Sequence, residues 1–97
     1  MAIDKYESRR IRGEIRRVLL QYWDPIGIQN EPNAQDEYDG YLGGIYELLV
    51  SRATNEEIAD HLHRIVEERM ALHPQTDATE RTVRELRAIL MPPASAV

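Results

Sequence analysis

The chain has 97 residues and a formal net charge of −5, from 17 acidic and 12 basic side chains, and it contains no cysteine. A chain of this length favours a single domain, 1–97, with one core, and the lack of cysteine excludes disulfide bonds and thiolate metal sites. No apolar run is long enough for a signal peptide or a membrane span, so we expect a soluble cytoplasmic protein.

The first predicted helix covers about residues 3–23. Ile11, Ile15 and Val18 recur at intervals of four and three, which is helical periodicity. Basic side chains border this apolar face on both sides: Arg9, Arg12 and Arg16 on one flank, and Arg10 and Arg17 on the other. Such flanks suit a phosphate backbone or an anionic membrane, but they are more typical of a solvated helix margin.

Asp24-Pro25 ends the first helix, because proline disfavours helical geometry in the residue before it. In the following loop we expect Ile26 and Ile28 to pack under the end of the bundle. The second predicted helix then covers about residues 34–51, with Asn33 as its N-cap. Its apolar face is formed by Tyr38, Tyr41, Leu42, Ile45, Leu48 and Leu49.

Capping boxes introduce the last two helices. Thr54 and Glu57 predict the start of a helix over about 55–71, and Asp77 with Glu80 has the same form before a helix over about 78–91. Residues 92–97 are expected to form a tail. The fold prediction is therefore all-α, a compact four-helix domain with short connections.

The second helix carries a glycine strip on its polar side, formed by Gly40, Gly43 and Gly44. Each glycine within a helix costs about 1 kcal/mol relative to alanine, which suggests a purpose for the exposed backbone. One interpretation is a docking surface for a basic or helical protein partner, or for a second copy of the chain. The other is internal packing against the first or fourth helix. The candidate partner surface comprises Asp24, Asp36, Glu37, Asp39, Gly40, Gly43, Gly44, Tyr46 and Glu47.

Two other function classes stay open. A small metal-dependent enzyme would use Asp36, Asp39 and His61, but no HExxH or Glu-x-x-His pattern supports it, and we assign no catalytic residue, metal or cofactor. A DNA-binding regulator would use residues 54–62 and 81–86 as a helix-turn-helix unit, but these segments are too far apart. The acidic middle of the chain would also repel phosphate.

Two segments resemble a known family: Trp23-Asp-Pro-Ile-Gly27 and Asp36-Glu-Tyr-Asp39. Together with neighbouring residues over about 15–72 they look like the YugE-like family of small bacterial proteins of unknown function. The resemblance implies an all-helical fold and a bacterial cytosolic protein, and it implies no activity and no catalytic residue. We therefore predict a non-enzymatic protein–protein interaction or regulatory module, of the immunity or inhibitor type.

Overall fold

The computed structural model describes residues 5–89, and this part of the chain forms four α-helices and no strand. The helices are α1 (Lys5–Val18, continued as a π-helix over Leu19–Trp23), α2 (Leu42–Val50), α3 (Asn55–Arg64, continued as a π-helix over Ile65–Arg69) and α4 (Thr76–Arg87). The predicted all-α, four-helix fold is confirmed. No helix in residues 5–89 is both long and apolar enough to cross a membrane.

The predicted apolar faces meet in one hydrophobic core. Helix α1 packs against α2 and, mainly through its last turn, against α4, while α3 packs against α4 and α2. The core residues with no exposed surface are Ile11, Ile15, Val18, Leu19, Tyr38, Ile45, Ile58, Leu62 and Leu86. Each such side chain contributes about 1.5–3 kcal/mol when it is removed from water. Packing thus fixes the outer faces of the helices as well.

The second helix begins at Leu42, so the predicted start at residue 34 is wrong. Instead, residues 31–41 form a series of tight turns, in which backbone N–H groups donate to the carbonyl three residues earlier, as from Tyr41 to Tyr38 at 3.0 Å. Two short 3-10 helices, Pro32–Ala34 and Asp39–Tyr41, belong to this series, so Asn33 is not an N-cap. Tyr38 anchors this segment, because its ring is fully buried and its hydroxyl donates to Asp24 in the loop after α1 at 2.8 Å.

The capping box of α3 is confirmed, and that of α4 is wrong. The backbone N–H of Glu57 donates to Thr54 Oγ1 at 3.1 Å, and the N–H of Thr54 donates to the Glu57 carboxylate at 2.9 Å. Helix α4 begins earlier, at Thr76, and its N-cap residue makes no side-chain bond. Asp77 therefore lies inside the first turn. Helix α4 ends at Arg87, with Ala88 as its C-cap, so the predicted end at about residue 91 is wrong. The predicted tail at 92–97 lies outside the described residues.

The loop after α1 is fixed by polar bonds to Asp24. Asp24 has a left-handed backbone (φ 34°), which aspartate tolerates better than most residues, and its N–H donates to the Leu19 carbonyl at 2.8 Å. Its carboxylate accepts from the Ile28 N–H at 2.8 Å, the Gln29 N–H at 3.1 Å and the Tyr38 hydroxyl at 2.8 Å. Ile28 is half-buried as expected, but Ile26 is 43% exposed, so hydrophobic packing alone does not order the loop.

Candidate interaction surface

A groove on the outside of α1, at its contact with α2, is lined by basic side chains. Its volume is about 630 Å³, and its lining residues are Lys5, Ser8, Arg9, Arg12, Gly13, Arg16 and Leu42. We call it the basic groove. Its four cations follow one another at intervals of four, three and four residues, so they share one face of α1 over about 16 Å. The groove is therefore a continuous positive stripe on a rigid helix.

Two of these cations are held in place by neighbouring residues. The Arg16 guanidinium donates two hydrogen bonds to the Asp39 carboxylate, at 2.8 Å and 2.5 Å. The Arg12 guanidinium lies 4.9 Å from the centre of the Tyr46 ring, and its Nε donates to Ser8 Oγ at 3.3 Å. Both arginines keep further N–H donors, because a guanidinium has five. The groove thus presents donors on side chains that are already positioned.

The other two cations carry uncompensated charge. Lys5 and Arg9 are exposed and make no ion pair or hydrogen bond with any residue in the range 5–89. By contrast, Arg10 on the other flank of α1 pairs with Glu7 at 3.1 Å and Glu14 at 2.5 Å. Arg10 is therefore neutralised by its own helix, whereas Lys5 and Arg9 leave positive charge available at the basic groove; Arg17, which bonds only to Gln21, also keeps its charge.

The structure divides the glycine strip in two. A Cβ atom at Gly40 or Gly43 would meet nothing within 4 Å, whereas one at Gly44 would lie 3.1 Å from His61 Nε2. Gly44 therefore serves internal packing between α2 and α3, and burial beneath this contact lowers the pKa of His61, helped by the nearby charge of Arg64. At Gly40, which is exposed, and at Gly43, which is half-buried, a side chain would enter open space, and we call these two the uncovered glycines.

The uncovered glycines border the basic groove. Gly43 lies one turn before Tyr46, the residue under Arg12, and Gly40 follows Asp39, the partner of Arg16. Val50, one of the more exposed apolar residues at 42%, continues the outer side of α2. We call this combined surface the α1–α2 face: the basic groove together with Gly40, Gly43 and Val50.

The predicted acidic residues have different environments. Asp36, Glu37 and Glu47 are exposed and make no ion pair within residues 5–89, so they stay candidates for contact with a partner. Asp39 is paired with Arg16, and Asp24 accepts three hydrogen bonds in the loop after α1. These last two carboxylates are thus engaged within the chain.

The residues of the two alternative functions are not assembled into sites in the described part of the chain. Within residues 5–89, no group of three or more His, Asp or Glu side chains is placed to hold a metal ion, so Asp36, Asp39 and His61 do not form one. A connection over residues 70–75 separates α4 from the end of the π-helix that extends α3. That connection is longer than the turn of a helix-turn-helix unit.

The sequence indicated part of this surface. The shared flank of Arg9, Arg12 and Arg16 was visible in the periodicity, and the interval of four that adds Lys5 could have completed the stripe. Nothing in the sequence indicated that Gly13 and Leu42 line the same groove, because that depends on how α1 crosses α2.

Comparison with protein-family models, with curated proteins and with solved structures gives no match.

Proposed function

We propose that the protein is a non-enzymatic interaction module that binds another protein through the α1–α2 face. The observation that supports this proposal is the basic groove, which Leu42 helps to line, next in sequence to Gly43, where an added Cβ atom would meet open space. Oriented charge supplies recognition, and bare backbone allows an approaching chain to come close. A scaffold that served only its own stability would need neither feature.

The mixed charge of this region favours a protein partner over nucleic acid. Lys5 and Arg9 offer positive charge, but Asp36, Glu37 and Glu47 carry negative charge on the neighbouring segment and helix. A nucleic acid would bring phosphates against these carboxylates over most of its contact. A protein can instead match both signs with its own side chains.

A regulatory role of the immunity or inhibitor type is the particular form of this proposal. A small charged domain can cover a functional surface on a larger protein, and charge complementarity accelerates its association. The lack of cysteine and the resemblance to the YugE-like family support a setting in the bacterial cytoplasm. The proposal assigns no catalytic residue and no cofactor.

A capture experiment tests the proposal. The tagged protein and its Gly43→Leu variant are used to capture partners from cells at low and high salt, and each captured protein is then purified and titrated against both. Leucine at position 43 enters open space, so we expect unchanged thermal unfolding and a loss of binding of about tenfold or more. The matched control is Arg81→Leu on the exposed side of α4. Partners that bind the Gly43→Leu variant as tightly as the original protein would contradict the proposal.

A further inference from the structure

Helix α3 carries an acidic stripe with the same spacing as the basic groove. Glu56, Asp60 and Glu67 are exposed, and their intervals of four and seven residues place them on one side of α3 and its π-helical extension. Lys5, Arg9 and Arg16 have the same intervals on α1. We call Glu56, Asp60 and Glu67 the acidic stripe.

The three carboxylates of the acidic stripe have no ionic partner in their own chain. None of them forms a salt bridge with any residue in the range 5–89. The nearest carboxylate along the helix that is engaged is Glu57, whose bond to the Thr54 N–H closes the capping box and lowers the pKa of its carboxyl group. The acidic stripe therefore forms no ion pair of its own, although Glu56 shares a groove with Arg84 and Arg87 of α4.

We propose that the basic groove of one copy binds the acidic stripe of a second copy, so that the chain associates with itself head to tail. This inference rests on the proposed function and names the occupant of the groove. The fourth position of the stripe pattern is Arg12 on α1 and the half-buried His63 on α3, so the pairing depends on the other three positions. Because intervals of four, three and four read the same in both directions, either relative direction of the helices brings opposite charges together.

The two stripes lie on different helices, so a contact between a groove and a stripe joins two different surfaces of the chain. Helix α1 packs with α2 and α4, and α3 packs with α4 and α2, so each stripe belongs to a different part of the bundle. In the head-to-tail arrangement that we propose, one copy uses one stripe toward one neighbour and the other stripe toward the next, which is a heterologous contact. Exposed charge pairs are screened by salt, so the association weakens as ionic strength rises.

The test uses two variants that each neutralise one stripe. Lys5→Gln with Arg9→Gln removes two cations that have no partner in the described chain, and Asp60→Asn with Glu67→Gln removes two free carboxylates. Molar mass is measured by sedimentation at about 20 mM salt, where exposed charges are weakly screened, and at about 500 mM salt, where they are strongly screened. We expect the original protein to associate at low salt only, and each variant to associate about tenfold more weakly.

Mixing the two variants gives the decisive result. Each keeps the stripe that the other lacks, so an equimolar mixture forms a 1:1 heterodimer that cannot grow further. Arg10→Gln with Arg17→Gln, on the other flank of α1, removes the same charge and leaves association unchanged. A monomeric original protein at low salt, association that the stripe variants do not weaken, or a mixture without heterodimer would each overturn the inference. If the groove variant then still loses a captured partner, the proposed function stands with a different occupant.

Discussion

The loop around Asp24 and the α1–α2 face both contain charged and polar residues, but these residues have different roles in the two regions. In the loop, the Asp24 carboxylate takes three donors from its own chain, and the ring of Tyr38 packs 5.3 Å from that of Trp23. On the α1–α2 face, Lys5 and Arg9 take no partner within residues 5–89, and a Cβ atom at Gly43 would enter open space. The polar groups of the loop form hydrogen bonds that stabilise the fold, whereas Lys5 and Arg9 on the α1–α2 face are available for binding.

The hydrogen bonds of the loop also explain the two distinctive motifs of the sequence. Trp23-Asp-Pro-Ile-Gly27 and Asp36-Glu-Tyr-Asp39 are joined directly, because Tyr38 donates to Asp24 at 2.8 Å and its oxygen accepts from the Ile26 N–H at 3.2 Å. A distinctive sequence motif here is explained by a structural bond. The residues that we propose for binding lie mostly outside these segments.

Replacing Asp24 should have the largest effect on stability. Asp24→Ala leaves two N–H groups and the Tyr38 hydroxyl without their acceptor, and it places alanine in a left-handed backbone, so we expect a loss of about 2–4 kcal/mol. Urea unfolding measures it. Asp36→Ala, the control on the exposed side, should stay within about 0.5 kcal/mol. Equal effects at the two positions would remove the distinction between the regions.

Tyr38→Phe should cost less, about 1–2 kcal/mol, because it removes one hydroxyl and leaves the packing of the ring in place. Burial raises the pKa of Tyr38, and its bond to Asp24 adds to this effect. Unfolded tyrosine ionises near pH 10, below the folded pKa, so the unfolded state loses its proton first and stability falls as the pH rises through this range.

The predicted loss of stability at alkaline pH can be measured directly. Unfolding between about pH 9 and pH 11 should show a steeper loss for the original chain than for Tyr38→Phe. The control is Tyr6→Phe, since Tyr6 is 80% exposed. A slope unchanged by Tyr38→Phe would mean that the hydroxyl is not isolated from solvent in the folded state.

The sequence predicted those parts of the fold that depend on local periodicity. The apolar face of α1 and the capping box at Thr54 follow from residues a few positions apart, and these predictions are confirmed. The predicted start of α2 is wrong because residues 31–41 form turns instead of a helix. Tyr38 in this segment bonds to Asp24, which is 14 positions away. Periodicity cannot show such a bond.

The candidate surface was predicted in part for the same reason. The glycines were visible in the sequence, but whether each is covered depends on the neighbouring helix, and only the structure separates Gly43 from Gly44. Asp24 and Asp39 were predicted to belong to the partner surface. Their partners, the loop N–H groups and Arg16, come from elsewhere in the chain and use their charge internally.

The two neighbouring glycines provide a matched pair for the next prediction. Gly43→Ala should stabilise the protein by about 0.5–1 kcal/mol, because alanine restricts the unfolded chain and enters open space. Gly44→Ala should give no such gain, because its Cβ would force the His61 ring to move. Thermal unfolding of both variants distinguishes them. An equal gain at both positions would show that His61 does not hold α2 in place.

The smallest expected effect concerns the ion pair between Arg16 and Asp39. Arg16 is 46% exposed and Asp39 32% exposed at the side chain, so water and salt screen their attraction. A double-mutant cycle with Arg16→Gln and Asp39→Asn should give a coupling energy of about 0.5 kcal/mol that shrinks in high salt. A coupling above about 2 kcal/mol would make this pair part of the scaffold. The α1–α2 face would then resemble the loop around Asp24, and its arginines would be less available to a partner.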